Sequence, residues 1–162
     1  MQLHKVISGG QTGVDRAMLD AAIECGILAG GWCPKGRRAE DGIVPVRYPL
    51  EEALSSGYVQ RTKWNIRDSD ATVVLVLGEL EGGSLFTTEM AAKLGKPCLV
   101  VDISLYKAAE TVAEFIEVRR IRILNVAGPR ESKRPGIHAR AHNVLLEAFR
   151  WHERSAGYIL RD

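Results

Sequence analysis

Four stretches combine glycine with polar or charged side chains in ways that chemistry can use. The first is Ser8-Gly9-Gly10-Gln11-Thr12-Gly13, between an apolar run and a helical pattern. Glycine accepts positive φ and lets a guest approach the backbone. A helix that follows such a turn aims free N–H groups and the positive end of its dipole at the same place, which suits phosphate. GGxxG is neither a Walker A loop nor GxGxxG, so a plain tight turn stays open beside the anion cradle. The second is Gly78–Glu89, where Gly82, Gly83 and Ser84 precede Thr87, Thr88 and Glu89. Those hydroxyls and that acid can bind a ligand, or they can cap and complement a helix.

The third stretch is Cys33–Gly42 (CPKGRRAEDG). Lys35, Arg37 and Arg38 can grip an anion, with arginine forks matching phosphate geometry. Glu40 and Asp41 stand close enough to neutralise them, so a self-paired surface loop is the alternative. The fourth is Asn125–His138, which carries Arg130, Lys133 and Arg134. Its length in a compact domain is the mark of a functional loop. These loops with the start of the first helix hold seven cations and seven carboxylates. A neutral edge argues against a nucleic-acid track and for a small anion held by placed groups.

The elements that must position these loops alternate. Leu3–Ser8, Ile27–Cys33, Ala71–Leu77, Pro97–Ile103 and Ile121–Val126 read as strands. Between and after them, Val14–Cys25, Val59–Arg67, Phe86–Leu94, Tyr106–Arg119 and His138–Arg154 carry helical patterns, the second only weakly amphipathic. Thr12 and Asp15 have the spacing of a capping box. The alternation predicts a three-layer α/β domain with a parallel sheet, and ligands beyond the carboxyl ends of its strands. A strand order 2-1-3-4-5 would make strands one and three neighbours and bring both glycine loops to one crevice.

Composition sets outer bounds. A chain of 162 residues with 46% hydrophobic and 26% charged residues is ordinary for one globular domain over 1–162. The net charge of +2 hides an uneven spread, for residues 119–162 hold ten Arg or Lys against four Asp or Glu. No apolar run approaches the roughly 20 residues of a membrane span, and MQLHKVISGG does not read as a signal peptide. Three cysteines without CxxC spacing predict reduced thiols in a cytoplasm, with Cys33 either a core residue or a reactive one. His138 and His142 lie one turn apart with no third ligand, so no metal site is expected. Trp32, Trp64 and Trp151 read as packing.

The runs ISGGQTGVDRA, GGWCPKGRRAEDG, GYVQRTKWNIRDSDAT, GGSLFTTEMA and ILNVAGPRESKRPGI resemble, in that order, the family named putative molybdenum carrier protein. The resemblance implies a Rossmann-like domain related to the Lonely Guy phosphoribohydrolases and the DNA-processing A proteins. It implies a nucleotide- or phosphate-binding site and, as cargo, the molybdenum cofactor, whose pterin holds the metal through its own dithiolene. Gly9, Gly10, Thr12 and Gly13 match the first glycine loop, with Gln11 inside it. Gly82, Gly83, Ser84, Thr87, Thr88 and Glu89 are similar to the PGGxGTxxE signature, but lack its Pro and its spacing to Thr. On this reading the loops hold the ligand's phosphate, with Lys35, Arg37 or Arg130 as side-chain partners. A homo-oligomer and transient contact with molybdoenzymes are further expectations; a membrane or nucleic-acid partner is not. The alternative activity is cleavage of a nucleoside 5′-monophosphate at its N-glycosidic bond, with Glu89 at the ribose and Arg37 on the phosphate. A nucleotide sensor without turnover is a third reading.

Overall fold

The computed structural model describes residues 3–158, with side chains described to residue 151. Five strands form one parallel sheet: β1 (Lys5–Ile7), β2 (Leu28–Gly30), β7 (Ala71–Val76), β8 (Cys98–Asp102) and β9 (Ile123–Ala127). ATVVLV of β7 is buried throughout, as an uninterrupted apolar run with helices on both sides requires.

The order in space is β2-β1-β9-β7-β8. The expected 2-1-3-4-5 is therefore corrected to 2-1-5-3-4. The last strand does not lie at an edge but divides the first from the third, with Lys5 facing Ile123 and Thr72 facing Asn125 across the two ladders. Strand types follow from local pattern, whereas order is a property of long-range pairing. Asn125 on β9 shows the fit, since its buried Nδ2 donates to Thr72 Oγ1 at 3.1 Å.

The connections explain the layers. β8 leads to β9 through α4 (Ala108–Val118) and β1 to β2 through α1 (Val14–Glu24), both in one direction, and α5 (Ile137–Tyr158) follows β9. These helices pack as α4 on α5 and α5 on α1. β2 leads to β7 and β7 to β8 in the opposite direction, through α2 (Tyr58–Arg67) and α3 (Gly82–Lys93), which pack together. Right-handed crossovers put the two sets on opposite faces. Val14, Met18 and Ala21 of α1 meet Ala141, Leu145 and Ala148 of α5 in the main core. The rim of that seam is polar: His138 Nε2 stands 2.8 Å from Asp20 and His142 Nε2 stands 3.1 Å from Glu24. His152, which the helical pattern also placed in register, lies outside the described side chains.

Other boundaries move for local reasons. The expected strand Ile27–Cys33 breaks at Gly31 (φ 125), and β3 (Trp32–Cys33) leaves the sheet to pair with β6 (Glu51–Glu52). Pro34–Pro49 is not wholly irregular, for it contains a one-turn 3-10 helix (Lys35–Arg37) and a hairpin of β4 (Arg38–Ala39) with β5 (Gly42–Ile43). α3 starts at Gly82, four residues before Phe86, because the glycine pair continues the helix instead of breaking it. The expected capping box does not form. α1 is capped by Gly13 without a side-chain bond, and the Thr12 hydroxyl goes to Glu40 instead. The three cysteines form no disulfide; burial pushes the Cys33 thiol up, so it behaves as a core residue. Trp32 and Trp64 pack edge to face with centroids 4.7 Å apart. No described helix is long and apolar enough to cross a membrane.

Candidate functional site

α5, which follows β9, lies on one face of the sheet, and α3, which follows β7, lies on the other. In an open α/β sheet this is where strand ends part and a crevice opens. A cavity of about 330 Å³ lies there, near the lower end of small-molecule sites. Its floor is the turn Ala127-Gly128-Pro129 after β9; one wall is the start of α3, the other is Tyr58, Arg61 and Gln11. The crevice thus lies one strand away from the pair that the expected order would have joined, and the loop after β9 sits at its centre.

Gln11 and Arg61 give the cavity its polarity. Gln11 is 6% exposed. Its Oε1 accepts the Thr12 N–H at 3.0 Å and the Glu40 N–H at 2.9 Å, which fixes the amide and leaves Nε2 as a buried donor. That Nε2 and Arg61 Nε are the buried side-chain polar atoms without a partner among the described residues. Native proteins rarely leave such donors unpaired. Arg61 lies flat on Gly9, whose Cβ position its guanidinium would overlap. Its Nη1 stands 3.5 Å from Asp15 Oδ2. Burial raises the Asp15 carboxyl above its usual range, against the pull of Arg61 and the Gln11 N–H. At 3.5 Å the Asp15–Arg61 pair is loose, and Arg61 Nε has no acceptor among the described residues.

The two glycine loops differ in what approaches them. In the first, protein fills the space: Arg61 covers Gly9, Leu50 covers Gly10, and the backbone of residues 129–131 presses on Gly13. Of that loop only Gln11 lines the cavity; Gly9, Gly10, Thr12 and Gly13 support it from behind. In the second, Gly82 and Gly83 have nothing within 4 Å of a Cβ position and face the cavity with Ser84 and Thr87. They open α3, so the first-turn N–H groups point into the crevice. The Thr87 hydroxyl donates to Gly83 O at 2.8 Å and the Thr88 hydroxyl to Leu85 O at 2.7 Å. Thr88 and Glu89 do not line the cavity, and Glu89 is exposed along α3. The carboxylates that reach the cavity are Asp15, Glu79 and Glu81.

The third stretch supports the site from outside. Lys35 is exposed and Arg37 is turned inward, and neither lines the cavity. The Arg37 guanidinium donates to four backbone carbonyls, those of Val44, Pro45, Tyr48 and Leu50, at 2.9–3.1 Å. Glu40 and Asp41 pair across the site edge and not with their own loop. Asp41 takes a bidentate bond from Arg16. Glu40 accepts from the Thr12 hydroxyl and from the Ser132 N–H and hydroxyl, which ties the first, third and fourth stretches together. Partial burial pushes the Glu40 carboxyl up, but the Ser132 and Thr12 hydrogen bonds and the Arg130 charge outweigh it, and the net shift is downward from 4.5. A carboxyl lowered on folding stabilises above its unfolded value and loses that contribution as pH falls through its folded value. The stability gap between the wild type and Glu40→Gln, read by urea denaturation, is therefore expected to be full at neutral pH and to close below 4.5.

The fourth stretch supplies Arg130 and Lys133 to the cavity. Arg134 donates to Leu77 O at 2.9 Å and to Glu81 at 3.1 Å, fastening the loop after β7 to the loop after β9. Glu131 accepts the Gly136 and His138 N–H groups and caps α5. Of the sequence-expected site residues, the structure brings Gln11, Gly82, Gly83, Ser84, Thr87 and Arg130 to one cavity. Arg61, Tyr58 and Asp15 join them without having been expected. Tyr58 and Arg61 lie on α2, which is not weakly amphipathic as expected but strongly polar with a distinct buried face, and that excess of polar residues was their signal; Asp15 gave none beyond helix capping. Among the described residues no three His, Cys, Asp or Glu side chains converge on a metal-sized point.

A crystal structure of a protein from Syntrophus aciditrophicus SB, named putative molybdenum carrier protein, superposes on this chain with a TM-score of 0.84 at 45% identity. The match covers 91% of this chain and 94% of that one. No curated protein matches. Residues 6–149 match the model of a family described as the circularly permutated YpsA SLOG family. The strand order carries the same message. Read from β9 as the first strand, with the chain ends joined, β2-β1-β9-β7-β8 becomes 3-2-1-4-5, the order of a dinucleotide-binding sheet. The chain belongs to the circularly permutated YpsA SLOG family.

Proposed function

We propose that this chain is a carrier that holds a phosphate-bearing ligand of the molybdenum-cofactor kind in the crevice between β9 and β7. The observation that carries the reading is the pair of unpartnered buried donors, Gln11 Nε2 and Arg61 Nε, at the cavity wall. Donors without acceptors call for a guest rich in acceptor oxygens. Gly82 and Gly83 add helix-terminal N–H groups, and Arg130 adds a charge at the mouth. The similar protein from Syntrophus aciditrophicus SB, named as a molybdenum carrier, supports choosing a pterin cofactor among phosphate-bearing guests. The metal of such a cargo is held by the pterin, so this chain's task is to grip the phosphate and shelter the ring.

The test is purification from a host that makes the cofactor, followed by oxidation and pterin fluorescence. Fluorescent pterin is expected with the wild type. Arg61→Ala, checked for folding by circular dichroism, is expected to bind about tenfold or more weakly, since hydrogen bonds to a charged group contribute about 1.5–3 kcal/mol. No pterin above that of a control protein, and no affinity for released cofactor, would end the carrier reading.

A further inference from the structure

Three guanidinium groups from three separate elements gather round one aromatic ring. The Cζ atoms of Arg38 on β4, Arg130 after β9 and Arg61 on α2 lie 5.3, 5.4 and 5.6 Å from the Tyr58 ring centroid. No two of these charges are then more than about 11 Å apart, against a Debye length of about 8 Å at physiological salt, so part of their repulsion survives screening. Their ion pairs are poor. Arg130 stands 3.9 Å from Glu40, Arg61 stands 3.5 Å from Asp15, and among the described residues Arg38 bonds to the Ser56 carbonyl alone, at 3.3 Å. The ring holds each cation by its face but cannot cancel three of them. Beside the cluster lies the unpaired Nε2 of Gln11, itself 6% exposed.

We propose that Arg38, Arg61 and Arg130, ordered by Tyr58 and joined by Gln11, form a receptor for a tetrahedral dianionic oxyanion. This deepens the phosphate-site reading above and rests on it. The arginine count selects charge state. A phosphate monoester carries about −1.5 to −2 at neutral pH, a diester only −1. Three guanidiniums outnumber the Asp15 and Glu40 carboxylates that face them, so the site gains more from a dianionic terminal phosphate than from a monoanionic bridging one. A free metal oxyanion such as molybdate has the same shape and charge.

Calorimetric titration with a nucleoside 5′-monophosphate, its cyclic diester, inorganic phosphate and molybdate tests this. The monophosphate is expected to bind about tenfold or more tightly than the diester. Arg38→Ala and Arg130→Ala are each expected to erase most of that preference, while Tyr58→Phe keeps it and Tyr58→Leu weakens it. Thermal stability without ligand checks that the variants fold. Monophosphate above molybdate marks an organic ester as the source, and molybdate above monophosphate marks the free oxyanion; either order supports the receptor. Equal binding of ester and diester, or arginine variants that bind the dianions as the wild type does, overturns it. These arms use no pterin. A dianion receptor without pterin capture would refute the carrier reading alone, and pterin capture without dianion preference would refute this inference alone.

Discussion

Replacing Arg37 with alanine is expected to lower the melting temperature by about 10 °C, more than any cavity-lining change proposed above. The guanidinium binds four carbonyls spread over residues 44–50, and no carboxylate does that work for it. Removal leaves those carbonyls without their donor. Hydrogen bonds to a charged group contribute about 1.5–3 kcal/mol each and do not add fully, so a loss of about 3 kcal/mol is a fair measure. At about 2–4 °C per kcal/mol for a chain of this size, the shift follows. Arg37→Lys should recover little, because an ammonium cannot span four acceptors held in a fork. Affinity of the folded variant for phosphate-type ligands should change far less than its stability. A larger loss of affinity than of stability, measured by titration and calorimetry side by side, would instead place Arg37 on the ligand.

The second large effect is expected at Gly13. Its φ of 77 with ψ −128 lies outside the left-handed helical region and costs a side chain about 1–3 kcal/mol by conformation alone. The neighbourhood adds to this: a Cβ would overlap Pro129 O and stand 2.8 Å from Glu131 N and 2.9 Å from Arg130 C. All three are backbone, which cannot swing aside. Gly13→Ala should therefore cost about 4 kcal/mol or more, in the range reserved for severe core damage. Gly36 has the same φ of 77 and open space around it. Gly36→Ala should cost only about 1 kcal/mol, the backbone share alone. Gly36 has ψ 10, inside the left-handed helical region, against −128 at Gly13, so denaturant titration of the two variants reads conformation and collision together; equal costs would show that neither the ψ of Gly13 nor the packing of residues 129–131 on it matters. The variant at 13 should also lose ligand affinity, since the Val14 N–H bond to Pro129 O and the Glu131 N–H bond to Thr12 hold the turn that carries Arg130.

Much of the layer plan is legible in local pattern. ATVVLVL can only be a strand covered on both faces, and the stripe Ala141, Leu145, Ala148 lands in the core at full burial. Strand order was not legible, because nothing within ILNVA says that both its edges are taken. The pairings of Ile123 with Lys5 and of Leu124 with Ala71 are decided across the whole chain. The same gap explains the site. Glycine marked both loops, but only the three-dimensional neighbours show that Gly9 receives Arg61 whereas Gly83 receives no protein atom. Arg37 and Arg130 look alike as loop arginines; one is consumed by carbonyls and the other is left at a cavity. Arg61 was hidden in a helix whose pattern gave little reason to look at any single residue.

The central place of β9 also governs how the molecule comes into being. During synthesis β1, β2, β7 and β8 are all made before Ile123–Ala127. Until then β1 and β7 have no shared neighbour, and each exposes an unpaired edge. The sheet can join only when its middle strand arrives, and it does so through contacts of large sequence separation, the kind that slow folding. The nascent chain therefore carries two half-sheets whose edges need protection, and the crevice acquires its floor in the same step that completes the fold. The crevice has no partly made precursor: it is complete only when the fold is.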